Sequence, residues 1–433
     1  MGIQGRIALI FISLICNCPA WAQNPKPNQR ATLNVRGIPL QLPFEIRILV
    51  ETHSENSVEI GGYKIQAGGK TLPTDEMKCS PTALFGSIKE KLIQNPLSAE
   101  GPQWICKSKS WQKEIGITPT RIRAAAGFLS VNEKLYRGEI EIFSKNKKLN
   151  IINSLPLEPY LAGLVNKEIR SDYPEEAVKA QVIAARSYAV ATAAERRSRG
   201  WLFDMYGTEA DQVYEGSLSE DARSHRMVRD TLGEVLFHQE DILKAYYHAA
   251  NGGFSELPQN VWIGEGEERD RLAYLARPSP IDAKHTPTRW QVSISPRMGS
   301  LMPGKLGDIK NIRVVEVTKG QRVRKILVER QYGIQTLNGP EFRGLFGNRW
   351  IKSTYFKIQK IGSNWLVQGK GFGHGVGLSQ LGAKAMGKKG KNHRDILSFY
   401  YPYSNVRKIE LGEDLYIAAP GAENNQIPPP LAR

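Results

Sequence analysis

Between residues 155 and 189 the chain reads LPLEPYLAGLVNKEIRSDYPEEAVKAQVIAARSYA, a stretch best satisfied by two helices meeting at a tight elbow. Pro159 suits a first helical turn, where its missing N–H costs nothing. Leu161, Leu164, Val165 and Ile169 then recur at the i, i+3, i+4, i+8 spacing of a single apolar stripe. Glu168 falls at i+7 of that stripe and so points with the leucines, toward whatever the helix packs on. It also lies in the last turn, beside unpaired carbonyls that make the helix end negative. Burial and a negative neighbour both disfavour the ionised form, which predicts a raised pKa. A carboxylic acid that keeps its proton near neutral pH has the property a general acid needs. The competing reading lets the helix end fray and leaves Glu168 solvated.

Pro174 with the acidic pair Glu175-Glu176 marks the start of the second helix. Residues 177–194 are apolar nearly all round, and Arg196, Arg197, Arg199 and Gly200 close the helix. A helix apolar on every side is buried. Lys179, Gln181 and Arg186 within it must therefore find partners. Gln181 and Tyr188, seven apart, share a face that can line a polar cleft; Lys179 and Arg186 read as scaffolding.

Residues 1–22 read as a secretory signal, with Arg6 as the basic region, an apolar run over Ile7–Ile15, and Ala20-Trp21-Ala22 at the cleavage site. The apolar run is too short to span a bilayer, and no other stretch is long and apolar enough. The expectation is an exported chain with no membrane span after cleavage, in the periplasm or at the wall. Its mature part keeps two of the four cysteines, Cys79 and Cys106. In an oxidising compartment they suit a disulfide, with two buried thiols as the alternative. The formal charge of +16 favours acidic polymers. No nucleic-acid motif is present. Cell-wall glycan fits better, because muramic acid without its peptide carries a lactyl carboxylate.

Residues 23–43 are polar and proline-containing and read as a flexible leader. A β-rich region follows over 44–136, with 71–118 as a less regular insertion stapled by the cysteines. Strands are expected near RWQVSI, IKNIRVVEVT and KILVER, and a disordered proline-rich tail over 413–433. The fold class is α+β: β-rich subdomains around a central buried helical pair, with 137–412 as one large catalytic domain.

Two further segments carry candidate chemistry. In GKGFGHGVGLSQLGAKAMGKKG, residues 369–390, glycine alternates with Phe372, His374 and Val376. Such alternation strips one face of side chains, so a ligand or another backbone can come close, and His374 is left standing in a bare channel. The spacing fits neither G-x-x-x-x-G-K-[ST] nor G-x-G-x-x-G, which discards nucleotide binding. Ser379 and Gln380 can start the helix that follows. The second segment, YYHAANGGFSE at 246–256, places His248 beside an Asn-Gly-Gly turn. The seven histidines are scattered with no HExxH or other close pair, so neither a metal nor another cofactor is expected.

These three segments, in this order, resemble the SpoIID/LytB family (stage II sporulation protein D and its relatives). NVW at Asn260–Trp262, DQVYEG at 211–216 and YYP at 400–402 add to the match, which spans roughly 137–410. The resemblance implies a lytic transglycosylase that cleaves peptidoglycan glycan strands, with Glu168 as catalytic acid. Gln181, Tyr188, His248, His374, Ser379 and Gln380 would then be substrate-binding residues. It also implies a rival role, a glycan-binding partner that stimulates an amidase. A third reading is a glycoside hydrolase whose second acid is Glu256 or Asp211. Two departures stand out. This chain has no cysteine ahead of its QVY element, so no cysteine-bearing zinc site carries over. The glutamate is followed by Ile169-Arg170, where the family commonly has Met-Pro.

Overall fold

The computed structural model describes residues 32–54, 56–81, 104–169, 172–262, 272–279 and 288–410. The expected signal segment and C-terminal tail lie outside these residues. The architecture is α+β and β-rich, as expected. A seven-stranded sheet and a six-stranded sheet occupy the N-terminal part. Their buried residues share one hydrophobic cluster with the first two helices, α1 (Leu157–Glu168) and α2 (Glu175–Ser198).

The strand Lys148–Pro156 sits inside the seven-stranded sheet and runs without a loop into α1, with Pro156 as its N-cap. Leu161, Leu164, Val165 and Ile169 are all buried, as their spacing predicts. Each contributes about 1.5–3 kcal/mol of burial free energy. Apart from Lys179, α2 is buried from Ala177 through Ala194. Lys179 pairs with Glu176 and Asp230 at the surface. Arg186 makes a bidentate ion pair with Glu158 of α1, at 2.9 and 2.7 Å, with neither side chain exposed. Both residues are thus structural, as the sequence reading has them.

Two expectations are corrected. Residues 32–41, read as part of a flexible leader, form a β-hairpin of Thr32–Val35 and Ile38–Gln41 that buries Val35 and Leu40. Arg36 and Gly37 both take positive φ, 56° and 80°, which is the two-residue turn matching strand twist. The cysteines themselves lie in regular strands, not in a less regular segment. Glu76–Pro81 and Trp104–Ser108 are neighbouring strands of the six-stranded sheet, with Cys79 opposite Cys106 and the two joined by a disulfide. Residues 82–103 of the expected insertion lie outside the described residues.

Beyond the elbow come α3 (Ala222–Asp230) and the short α4 (Pro258–Val261). Next is a lobe built from two three-stranded antiparallel sheets and α5 (Gly339–Phe346). The strands expected near 289–294, 309–318 and 325–330 belong to it. Its buried residues, from Trp290 to Val367, form a hydrophobic cluster of their own. The carbonyl of Thr288 accepts from the Gly371 N–H at 2.8 Å, so the lobe begins and ends at one point. The helices α6 (Gln380–Lys388) and α7 (His393–Tyr400) then return to pack on α2.

Candidate active site

Glu168 ends α1 where Ile169 turns to extended backbone. The residue keeps some solvent contact, but protein atoms crowd its carboxylate. Burial pushes its pKa from an ordinary 4.5 up to about 7, against the Val213 N–H and the Tyr247 hydroxyl, which favour the anion. The Val213 N–H donates to Oε1 at 2.6 Å. The charge of the exposed Glu209 raises the pKa further. The expected raised acid is therefore in place, and the solvated alternative is not.

A buried tyrosine floor surrounds the acid. The Tyr160 hydroxyl donates to Gln212 at 2.9 Å, and Gln212 in turn donates to the Ala185 carbonyl. The phenols of Tyr160 and Tyr247 are held well above their ordinary pKa, first by burial and then by the charge of Glu168. Tyr188 lies 6.5 Å from Tyr247 and 5.7 Å from Tyr246, ring centre to ring centre. Its hydroxyl donates to Asp211 at 3.0 Å. Asp211 is otherwise occupied by a bidentate bond from Arg196 and by the Tyr206 N–H.

The glycine-rich segment and the 246–256 segment lie along one another. Ala250 and Phe372 exchange two backbone hydrogen bonds, and Glu256 N–H donates to the Gly375 carbonyl. The alternate glycines serve protein packing: the approach they permit is that of protein atoms. Gly373 has φ 102°, and a Cβ there would stand 2.8 Å from the Cβ of His248. Gly375 has φ 88°, and a Cβ there would overlap the Arg322 guanidinium. The expected bare channel around His374 is filled instead. Its ring is 5.0 Å from Trp262 and 5.3 Å from His248, and Trp262 stacks on Tyr246 at 4.3 Å.

Val376 fixes both imidazoles. Its N–H donates to Nδ1 of His374 at 3.1 Å, and its carbonyl accepts from Nδ1 of His248 at 3.0 Å. Burial pushes His374 down to about 3, helped by the charges of Arg322 and Arg343. Burial, His374 and Arg322 push His248 down as well. Neither is a proton carrier at neutral pH; both are neutral hydrogen-bonding rings. Arg322 is itself buried, donates to the Asn251 carbonyl at 2.8 Å, and is pushed down to about 10 by burial.

Of the residues singled out from sequence, Glu168, Tyr188, His248 and His374 converge through this chain of rings. Gln181 is fully buried on α2, and neither atom of its amide bonds to the described protein. Ser379 is corrected: it is fully buried, and its Oγ caps α6 by accepting the Gly382 N–H at 3.3 Å. Gln380, the first residue of α6, is also buried. Val213, Tyr160, Gln212, Tyr247 and Glu209 escaped the sequence reading as site residues. The DQVYEG and YYHAANGG segments were the available signal for three of them. Among the described residues no group of three or more His, Cys, Asp or Glu could hold a metal, and no helix is long and apolar enough to cross a membrane.

The family model for SpoIID, stage II sporulation protein, matches residues 145–238, which include α1, α2, Glu168 and Val213. The chain carries a SpoIID-family domain. The chain is 27% identical over 286 residues to the amidase enhancer of Bacillus subtilis, covering 56% of this chain and 39% of that protein. It is 26% identical to stage II sporulation protein D of the same organism, covering 62% of this chain and 79% of the relative. An uncharacterized protein of Brachyspira hyodysenteriae is 27% identical over 61% of this chain and 70% of its own length. A second family model, a domain of unknown function (DUF8618), matches residues 288–377, the lobe with its own core.

Proposed function

We propose that this protein is an exported peptidoglycan lytic transglycosylase in which Glu168 is the single general acid and base. The observation that carries the reading is the pairing of one raised carboxylate with the occupation of its rivals. Glu168 is pushed up to about 7 by burial. Asp211 is taken by Arg196, Tyr188 and Tyr206. Glu256 accepts from Leu257 N–H, Asn260 and the Thr318 hydroxyl, and is buried. Neither of these two acids is free to activate a water.

One acid is sufficient if the sugar supplies its own nucleophile. Protonated Glu168 gives its proton to the leaving glycosidic oxygen as the bond from C1 of the muramyl residue breaks. The resulting carboxylate takes the proton of the C6 hydroxyl, whose oxygen bonds to C1 and closes a 1,6-anhydro ring. No water enters, and Glu168 regains the proton it began with. The Val213 N–H, which donates to Oε1 of Glu168, stabilises the carboxylate between the two transfers.

Purified wild type and Glu168→Gln, incubated with glycan strands with and without stem peptides, test the reading by the mass of the fragments. Anhydro ends made by wild type and absent from the variant support it; intact strands from wild type defeat it. A second reading, stimulation of a separate amidase, is favoured by the name of the amidase-enhancer relative. It predicts release of stem peptides only when an amidase is added, unaffected by Glu168→Gln. A two-acid hydrolase would leave reducing ends, and the exposed Glu209 is then the carboxylate to test.

A further inference from the structure

Arg343 sits on α5, in the lobe matched by the domain of unknown function and outside the SpoIID match. Its Nε donates to the Ile351 carbonyl at 2.9 Å, which fixes the side chain against the segment 351–353. That segment pairs with the glycine strand: Gly373 N–H donates to the Lys352 carbonyl at 2.8 Å, and Ser353 bridges to Gly373. Arg343 is thereby tied to the backbone position adjoining His374. Its Nε is spoken for, while its two Nη groups make no hydrogen bond among the described residues and are not sealed from solvent.

Arg343 also lies within electrostatic reach of the site residues Glu209 and His374. Burial lowers the pKa of Arg343, and Glu209, which also acts on Glu168, pulls it back. Arg343 in turn helps keep His374 neutral. A half-buried arginine with its fork unoccupied is costly unless an anion completes it. Arg322 offers no such fork, being fully buried beneath Gly375 and bonded to Asn251.

The geometry points to Arg343 as a specificity residue that the lobe lends to the cleft, where its guanidinium takes a carboxylate of the glycan strand. The inference rests on the glycan-cleaving reading above. The carboxylate has two sources, the lactyl group of a muramyl residue without its peptide, or the stem peptide itself.

Equilibrium binding of wild type, Arg343→Gln and Arg343→Lys tests this on four probes. They are peptide-free strands, the same strands with lactyl carboxylates amidated, peptide-bearing strands, and uncharged N-acetylglucosamine oligomers. The expected result is a roughly ten- to hundredfold weaker affinity of Arg343→Gln for a carboxylate-bearing strand. Arg343→Lys, which keeps the charge and loses the fork, should fall between. Uncharged oligomers should bind all three proteins alike, which also reports that the variants are folded. Loss of the difference on amidation assigns the lactyl source; a difference confined to peptide-bearing strands assigns the peptide. Equal weakening on charged and uncharged probes, or no weakening, overturns the role of Arg343 alone. Wild type that binds no probe overturns both this role and the glycan reading. Arginine-dependent binding without anhydro products defeats the transglycosylase reading and leaves the subsite standing.

Discussion

Arg186 of α2 grips Glu158 of α1 through two hydrogen bonds inside a core where neither side chain meets solvent. Arg186 also donates to the Glu234 carbonyl at 3.0 Å, tying the strand Glu234–His238 to the same point. Glu158 and Glu168 lie at opposite ends of α1. The buried pair thus locks one end of the helix whose other end presents the acid.

Arg186→Met should destabilise the protein by about 3–5 kcal/mol, since it strands a buried carboxylate. The double variant Arg186→Met, Glu158→Leu should recover most of that loss. Urea denaturation of the three proteins measures both values, and a double variant as unstable as the single one would contradict the account.

Glu168→Gln should reduce strand cleavage by about 100- to 10,000-fold. It should also raise stability at neutral pH. The folded pKa of Glu168 lies above its ordinary 4.5, at about 7, so the folded state binds the extra proton across that window. Wild-type stability therefore falls as pH rises from 4.5 to 7, by up to ~3 kcal/mol from this group. The amide variant, melted at pH 4 and pH 8, should lack that fall.

Cleavage by wild type should be greatest below pH 7 and decline above it, because the acid must start protonated. Glu209→Gln removes a negative charge that raises the Glu168 pKa, so the declining limb should move to lower pH. Anhydro ends should persist in this variant. Reducing ends from wild type that disappear in it would make Glu209 a hydrolytic base.

Asp211→Asn and Glu256→Gln should weaken the fold yet retain cleavage with anhydro ends. Their oxygens serve Arg196, Tyr188 and Tyr206 in one case, and Leu257, Asn260 and Thr318 in the other. Fragment masses and melts on the same samples separate a structural loss from a chemical one.

Gly375→Ala should cost about 1–3 kcal/mol in positive-φ strain, with an added penalty from displacing Arg322. Gly362→Ala is the matched control, because Gly362 also has positive φ, 59°, but a Cβ there would meet nothing within 4 Å. Equal losses at the two positions would rule out the contact with Arg322 as a constraint.

The acid was legible because a helix declares its faces within a dozen residues. The stripe of Leu161, Leu164, Val165 and Ile169 sufficed to turn Glu168 inward. The hairpin at 32–41 was missed because its turn is Arg36-Gly37, where the recognised signals are Asn-Gly and Asp-Gly. The disulfide strands were misread because charged Glu76 and Lys78 alternate with buried Met77 and Cys79, and charge outweighed alternation. Ser379 was legible as a helix start and as a ligand; burial decides for the cap. Tyr247, Glu209 and Arg343 reach the cleft from three distant parts of the chain, and no local pattern announces a meeting of that kind.

The lobe begins and ends side by side, the Thr288 carbonyl accepting from the Gly371 N–H, and it keeps a core of its own. Two buried hydrogen bonds nevertheless sew it to the segment 246–256, from Arg322 to the Asn251 carbonyl and from Thr318 to Glu256. A change in the lobe at Arg322 or Thr318 is therefore felt directly by the buried turn at Asn251 and by Glu256, although the lobe's core is separate.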